Sequence, residues 1–186
     1  MKVSKETSAK HRAELLKAAS RLFRERGFDK VGIAEIAAAA GLTHGAFYTH
    51  FESKEALCTE TIARASGRSG TALESTVSWR TSVEAYLSPT HVRDRANGCP
   101  LAALGGDVPR ESETIRAAFS DALELSFDAV AAKLGYEGEA PTREDGIQAL
   151  ATMVGALVLA RTAATPQLRD EILRAARNKL LEAPRT

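Results

Sequence analysis

The sequence predicts an all-α protein of about nine helices in two parts. Three observations carry this. Apolar residues recur at three- and four-residue spacing in segment after segment. Glycines, prolines and good capping residues fall at the ends of those segments. A composition shift at Gly67, Ser69 and Gly70 divides the chain into residues 1–66 and 67–186.

The first helix is expected from about Ser8 to Arg26, after a polar segment of residues 1–7 with little reason to order. Leu15, Ala19, Leu22 and Phe23 form its buried stripe, with Lys10, Lys17, Arg21 and Arg24 largely off it. Gly27 ends it, and Phe28 folds back on the core. Gly32 opens a second helix, with Glu35 in its first turn facing the positive helix end. Ile33, Ile36, Ala37 and Ala40 give that helix one apolar face. Gly41 stops it in a left-handed cap, and Leu42 fills the corner. Thr43 caps a third helix, His44 to His50, which turns Phe47 and Phe51 inward. Its other side keeps His44, Gly45, Tyr48, Thr49 and His50. Two short helices crossing at a glycine turn over residues 32–51 form a helix-turn-helix pattern, whose second helix can enter a DNA major groove. Ser53 caps a fourth helix to about Ser66, with Lys54 at its first position, a corner suited to phosphate.

Beyond the shift, a fifth helix is expected over residues 71–87, with Leu73, Val77, Val83 and Leu87 inside and Trp79 and Tyr86 on a neighbouring face. A helical turn begins at Pro89, and Arg95 to Gly98 is a loop. A short helix runs from Cys99 to about Leu104. A longer one spans Ser112 to Leu134, followed by a loop from Gly135 to Pro141. Thr142 and Asp145 resemble a capping box before a helix reaching Ala164. Thr165-Pro166 opens the last helix, to about Glu182. These last two helices carry more apolar surface than a monomer hides. Ala151 and Gly155 allow close approach, so a two-fold four-helix bundle is expected through them.

Composition sets bounds. A net charge of +1 rules out a global polycation, yet residues 1–30 alone hold nine Lys/Arg against four Asp/Glu. A basic first helix could therefore lie along a phosphate backbone. Cys58 and Cys99 lack CxxC spacing, so neither a disulfide framework nor a zinc site follows, and the cytoplasm is the expected compartment. Residues 1–14 are too polar for a signal peptide, and the apolar run Ala149 to Ala160 is too short to span a membrane. His11 and His91 have no metal-ligand spacing and read as plain surface residues. No catalytic constellation, metal site or cofactor site is expected; a helical enzyme would need one.

From Ala9 to Ile62 the chain resembles the TetR family of bacterial transcriptional repressors. The resemblance rests on AASRLFRERGFD in the first helix, IAEIAAAAGLTHGAFYTHF at the crossing, and ESKEAL at the fourth helix. NGCPLAALGGDVP is similar to one subgroup of the family. One departure is clear: Val31 and Gly32 stand where family members usually carry threonine or serine. The resemblance implies a homodimer on a near-palindromic double-stranded DNA operator, released by a small-molecule effector. Tyr48, Lys54 and the Thr43 cap region would touch phosphate. His44 and Thr49 would read bases, His50 could do either, and Gly45 would let the backbone approach. The effector would sit among the helices of residues 71–164, where Trp79, Tyr86, Cys99 and Phe127 are possible lining residues. Two alternatives stand beside this reading. One is a redox- or electrophile-sensing regulator acting through Cys99, placed at a helix start. The other is a ligand-binding dimer without DNA binding, which only the departure at Val31 and Gly32 favours.

Overall fold

The computed structural model describes residues 4–74, 78–134 and 140–182, with backbone alone over residues 65–74. Among the described residues there are ten α-helices, one short 3-10 turn and no strand. The helices are α1 (Lys5–Arg26), α2 (Ile33–Ala39), α3 (His44–Phe47), α4 (Lys54–Glu74), α5 (Trp79–Tyr86), α6 (Pro89–Arg93), α7 (Pro100–Leu104), α8 (Glu113–Ala131), α9 (Arg143–Thr162) and α10 (Pro166–Leu181). The 3-10 turn, Val108–Arg110, precedes α8.

Most ends fall where side-chain chemistry puts them. Ser4, Thr43, Ser78, Ser88, Ser112, Thr142 and Thr165 each accept from a free N–H in the first turn of the helix that follows. Thr142 and Asp145 form the full reciprocal box. Gly27 has φ +85 and ends α1, and a Cβ there would lie 2.6 Å from the Asp107 carboxylate. The left-handed backbone is what requires glycine, since the Asp107 carboxylate could swing aside.

Four boundaries differ from expectation. Helix α1 starts at Lys5, because Ser4 caps it ahead of the expected Ser8. Helix α3 is a single turn and stops at Phe47, with turns to His50. Helix α4 does not stop at Ser66: it runs on to Glu74, so the composition shift falls inside a helix. Residues 71–74 accordingly belong to α4, and only Trp79–Tyr86 remain of the fifth helix. The expected core position Val77, and most of the loop expected from Gly135 to Pro141, lie outside the described residues.

Helix α4 packs along α8, α8 along α9, and α9 along α10. One buried cluster joins the N-terminal helices to the rest: Leu15, Phe23, Phe28, Ile36, Phe47, Phe51 and Leu57 are continuous with Leu101, Leu104, Ile115, Phe119 and Leu150. Burial of each large side chain is worth about 1.5–3 kcal/mol. A second cluster, Val83, Leu87, Val92, Leu157 and Leu173, closes the far end. Polar ties reinforce the junction. Arg24 Nε donates to the Ala96 carbonyl at 2.6 Å, and the Ser112 hydroxyl donates to Glu55.

Candidate nucleic-acid interface

One turn of helix cannot hold itself in water. Helix α3 is held from both sides. Before it, Leu42 N–H donates to Ala37 O at 2.8 Å and Gly41 N–H to Ala38 O at 3.0 Å, with Gly41 at φ +71. This double closure fixes the angle between α2 and α3. The Thr43 hydroxyl then accepts from Ala46 N–H at 3.3 Å. Behind α3, Phe47 is fully buried and Phe51 nearly so, their rings 5.8 Å apart. The Arg12 guanidinium lies 4.6 Å above the Phe51 ring and pairs through both terminal nitrogens with Glu60. Helices α1, α3 and α4 are thereby pinned around one aromatic pair.

Five of the seven expected contact residues come together on the open side. Thr43, His44, Gly45, Tyr48 and Thr49 are all exposed. Tyr48 is 52% exposed, its ring edge-on to His44 at 5.5 Å and to Phe47 at 5.2 Å. The Thr49 hydroxyl donates to Ala46 O at 2.7 Å, leaving its lone pairs to accept. A Cβ on Gly45 would meet nothing within 4 Å. Glycine in a helix costs about 1 kcal/mol relative to alanine. Among the described residues no close packing calls for that cost.

The other two residues are held back. Lys54 is half-buried at the first position of α4, and its ammonium donates to the Phe28 carbonyl at 2.5 Å. It closes the α1–α2 connection onto α4 and retains two further donors. His50 is half-buried, edge-on to His11 at 6.1 Å. Burial, with His11 and Arg12 nearby, holds its imidazole below the usual 6.5. A neutral ring at pH 7 suits a hydrogen bond better than a phosphate ion pair.

The basic excess of the first thirty residues is partly spent inside the protein. Arg12 pairs with Glu60, Arg26 with Glu35 and the Lys30 carbonyl, and Arg24 reaches Ala96 and Ser20. Lys10, Lys17 and Arg21 remain exposed. Val31 is fully buried, and Gly32 caps α2 with no side-chain bond, so neither offers a hydroxyl outward.

In the C-terminal part, Trp79 is a tie: its Nε1–H donates to Leu180 O at 3.0 Å, joining α5 to α10. Phe127 is half-buried with Arg143 5.7 Å above it. His91 is no plain surface residue. It is half-buried, 4.6 Å edge-on from Tyr86, and both ring nitrogens are engaged. His11, likewise half-buried, faces His50. Cys58 is buried, and burial pushes its thiol up to about 12. Cys99 caps α7 and is half-buried beside Tyr86 and Arg161. Sequence reasoning had weighed Tyr86 and Cys99 but not Arg161. The available signal was a lone arginine closing the apolar run Ala149 to Ala160. Among the described residues no helix is long and apolar enough to cross a membrane, and no three metal-ligating side chains converge.

An exposed short helix carried on a buried aromatic pair, preceded by a glycine-closed turn, defines a helix-turn-helix protein with an all-helical body. Residues 15–61 match the family described as bacterial regulatory proteins, tetR family. The HTH-type transcriptional repressor BepR of Brucella suis is 42% identical over 65 residues, 35% of this chain and 31% of that protein. The repressor KstR2 of Rhodococcus jostii is 44% identical over 59 residues, 31% of this chain and 29% of that protein. The chain thus spans under a third of the length of these curated relatives. Whole-chain likeness is one of fold. The reduced form of NemR from E. coli superposes with a TM-score of 0.72 at 22% identity, covering 95% of this chain and all of that one. A TetR-family regulator from Agrobacterium tumefaciens gives 0.75 at 19% identity, covering 92% and 98%.

Proposed function

We propose that the chain is a DNA-binding transcriptional regulator, a repressor that works as a homodimer on a near-palindromic operator and is released by a small molecule. Residues 1–66 then act as the DNA-binding head and 67–186 as the effector and dimer body. The observation that carries this is the exposed row Thr43, His44, Gly45, Tyr48 and Thr49, presented by a helix too short to have been kept for its own stability. Helix α3 of each subunit enters a major groove, with half-sites about one helical turn or a multiple apart. His44 and Thr49 read bases, while Tyr48 and the Thr43 turn position the head on phosphates. Lys54 adds a phosphate contact through its remaining donors, and His50 accepts or donates as a neutral ring. The curated relatives named above are both called transcriptional repressors, which supports the same reading.

The test is selection of duplexes from a randomised pool by the purified chain, followed by titration of the selected site. Gly45→Ala should fold as well as the parent, since its Cβ has open space, yet lose affinity because the backbone can no longer come close. His44→Ala should change the selected sequence. Lys54→Ala should weaken all sequences alike and reduce the salt slope by about one unit. No enriched sequence, or full binding by Gly45→Ala, would sink the proposal.

A second reading has one observation in its favour. The Cys99 thiol, unlike that of Cys58, is half-buried and flanked by the Arg161 guanidinium and the Tyr86 hydroxyl. An electrophile that adds to this thiol would then be the releasing signal. Repeating the titration after exposure to N-ethylmaleimide, with and without Cys99→Ser, decides between covalent and reversible release.

A further inference from the structure

Tyr86 at the end of α5 and Arg161 near the end of α9 converge beside Cys99 at the start of α7. Two donors there lack a good partner. The Tyr86 hydroxyl and Arg161 Nη1 are both cut off from solvent and make no hydrogen bond of ordinary geometry, the hydroxyl standing against the Cys99 thiol, a weak partner. The rest of the guanidinium is engaged: Nη2 donates to His91 O at 3.2 Å, and Nε lies 3.4 Å from Val92 O. Both partners are neutral carbonyls. Among the described residues no carboxylate neutralises Arg161, and its charged neighbour is another cation, Arg95. Asp94, on the same loop as Gly98 and Cys99, is turned onto Asn97. Arg161 is half-buried, and the covered side of its guanidinium is the side left without a counter-charge, where an unpaired charge is most costly. Among the described residues neither of these two covered atoms has an acceptor of ordinary geometry, and no negative charge faces them.

We propose that Arg161 and Tyr86, beside Cys99, bind the carboxylate of a small organic acid. The proposal rests on the reading above that the body takes an effector, and it names that effector's anionic end. A carboxylate has two oxygens for the two covered donors and one negative charge for the guanidinium. A phosphate dianion brings too much charge and more acceptors than the site has donors for. The site also has a physical line to the head. A Cβ on Gly98 would sit 2.8 Å from Asp94 O, 2.9 Å from His91 Nε2 and 3.0 Å from Arg161 Nη2, so the loop lies directly on the guanidinium. Two residues earlier the same loop accepts Arg24 of α1 through Ala96 O. A ligand that redirects Arg161 presses on the end of α1.

The experiment needs no DNA, so it stands or falls apart from the operator reading. The melting midpoint and heat of binding of the full chain are measured with acetate, propionate and benzoate. Benzamide, inorganic phosphate and sodium chloride at matched ionic strength serve as controls. At least one carboxylate should bind saturably and raise the midpoint, with benzamide and phosphate inert. Tyr86→Phe and Arg161→Gln should each lower that affinity by about tenfold or more, the loss of one charge-assisted hydrogen bond. A response no greater than chloride's for all three acids overturns the proposal. So does an equal response to benzamide or phosphate, or one that survives in both variants.

Discussion

At the scale of single residues, His91 has one satisfied protonation state. Its Nε2 accepts from Cys99 N–H at 2.9 Å, and an amide N–H can only donate. Nε2 must therefore be bare, and the proton sits on Nδ1, donated to Tyr86 O at 2.7 Å. Burial holds the ring below the usual 6.5, the Tyr86 carbonyl and Asp94 pull it up, and Arg161 pushes it further down. A second proton would set two donors against each other at Nε2. Because the folded value lies under the unfolded one, this contribution is whole above 6.5 and is lost as pH falls through the folded value. The melting midpoint should fall in acid more steeply for the wild type than for His91→Gln, which keeps an acceptor but cannot titrate. Parallel curves would show that the ring is not the group responsible. None of this was legible in the sequence. Spacing reports neighbours on one element, whereas the partners of His91 lie across a loop. Local chemistry was legible: Gly41, Thr43, Phe47 and Phe51 do what their types and offsets require, because caps and stripes depend on residues within a turn or two.

At the scale of elements, what the sequence misplaced are ends that tertiary contact decides. Helix α3 stops at Phe47 because its anchors, Phe47 and Phe51, are fixed by α1 and α4 rather than by its own hydrogen bonds. Helix α4 runs through Gly67 and Gly70 although glycine is a poor helix former, since packing along α8 outweighs propensity. Helix α9 shows the same priority in reverse. Its Gly146 lies in the first turn, and a Cβ there would stand 2.5 Å from Phe127 O and 2.9 Å from the Ala131 side chain. The glycine lets α8 and α9 touch. Gly146→Ala should cost about 1–3 kcal/mol by forcing the two helices apart, more than the up to about 1 kcal/mol that alanine returns as a better helix former. Urea unfolding would read this as a lower midpoint with unchanged slope. A raised midpoint would mean that the contact is slack.

At the scale of the whole molecule, the buried core accounts for one side of the last helices and leaves the other uncovered. Leu150, Met153, Leu157 and Ala160 of α9 are buried. On the opposite side, Ile147, Ala151, Val158 and Leu159 are exposed, with Gly155 half-covered between them. Leu159 alone is 57% exposed, and Leu125 of α8 and Leu168 of α10 are also open. These positions follow the three- and four-residue spacing of a single helical stripe, which is the pattern of a helix with a partner on each side. Closing that stripe on its own copy by a two-fold axis would fix the separation of two α3 helices. The pair Val158→Glu and Leu159→Glu tests this. In a monomer the changes are at the surface and should alter stability by no more than about 0.5 kcal/mol each. In a dimer they bury four like charges at one seam. Light scattering should then report a monomer with undiminished helical signal, and operator affinity should collapse although no head residue has changed. A variant that still scatters as a dimer would place the subunit contact elsewhere on the body. A parent that is itself monomeric at working concentration would leave the two heads with no fixed spacing, and the near-palindromic operator would go with it.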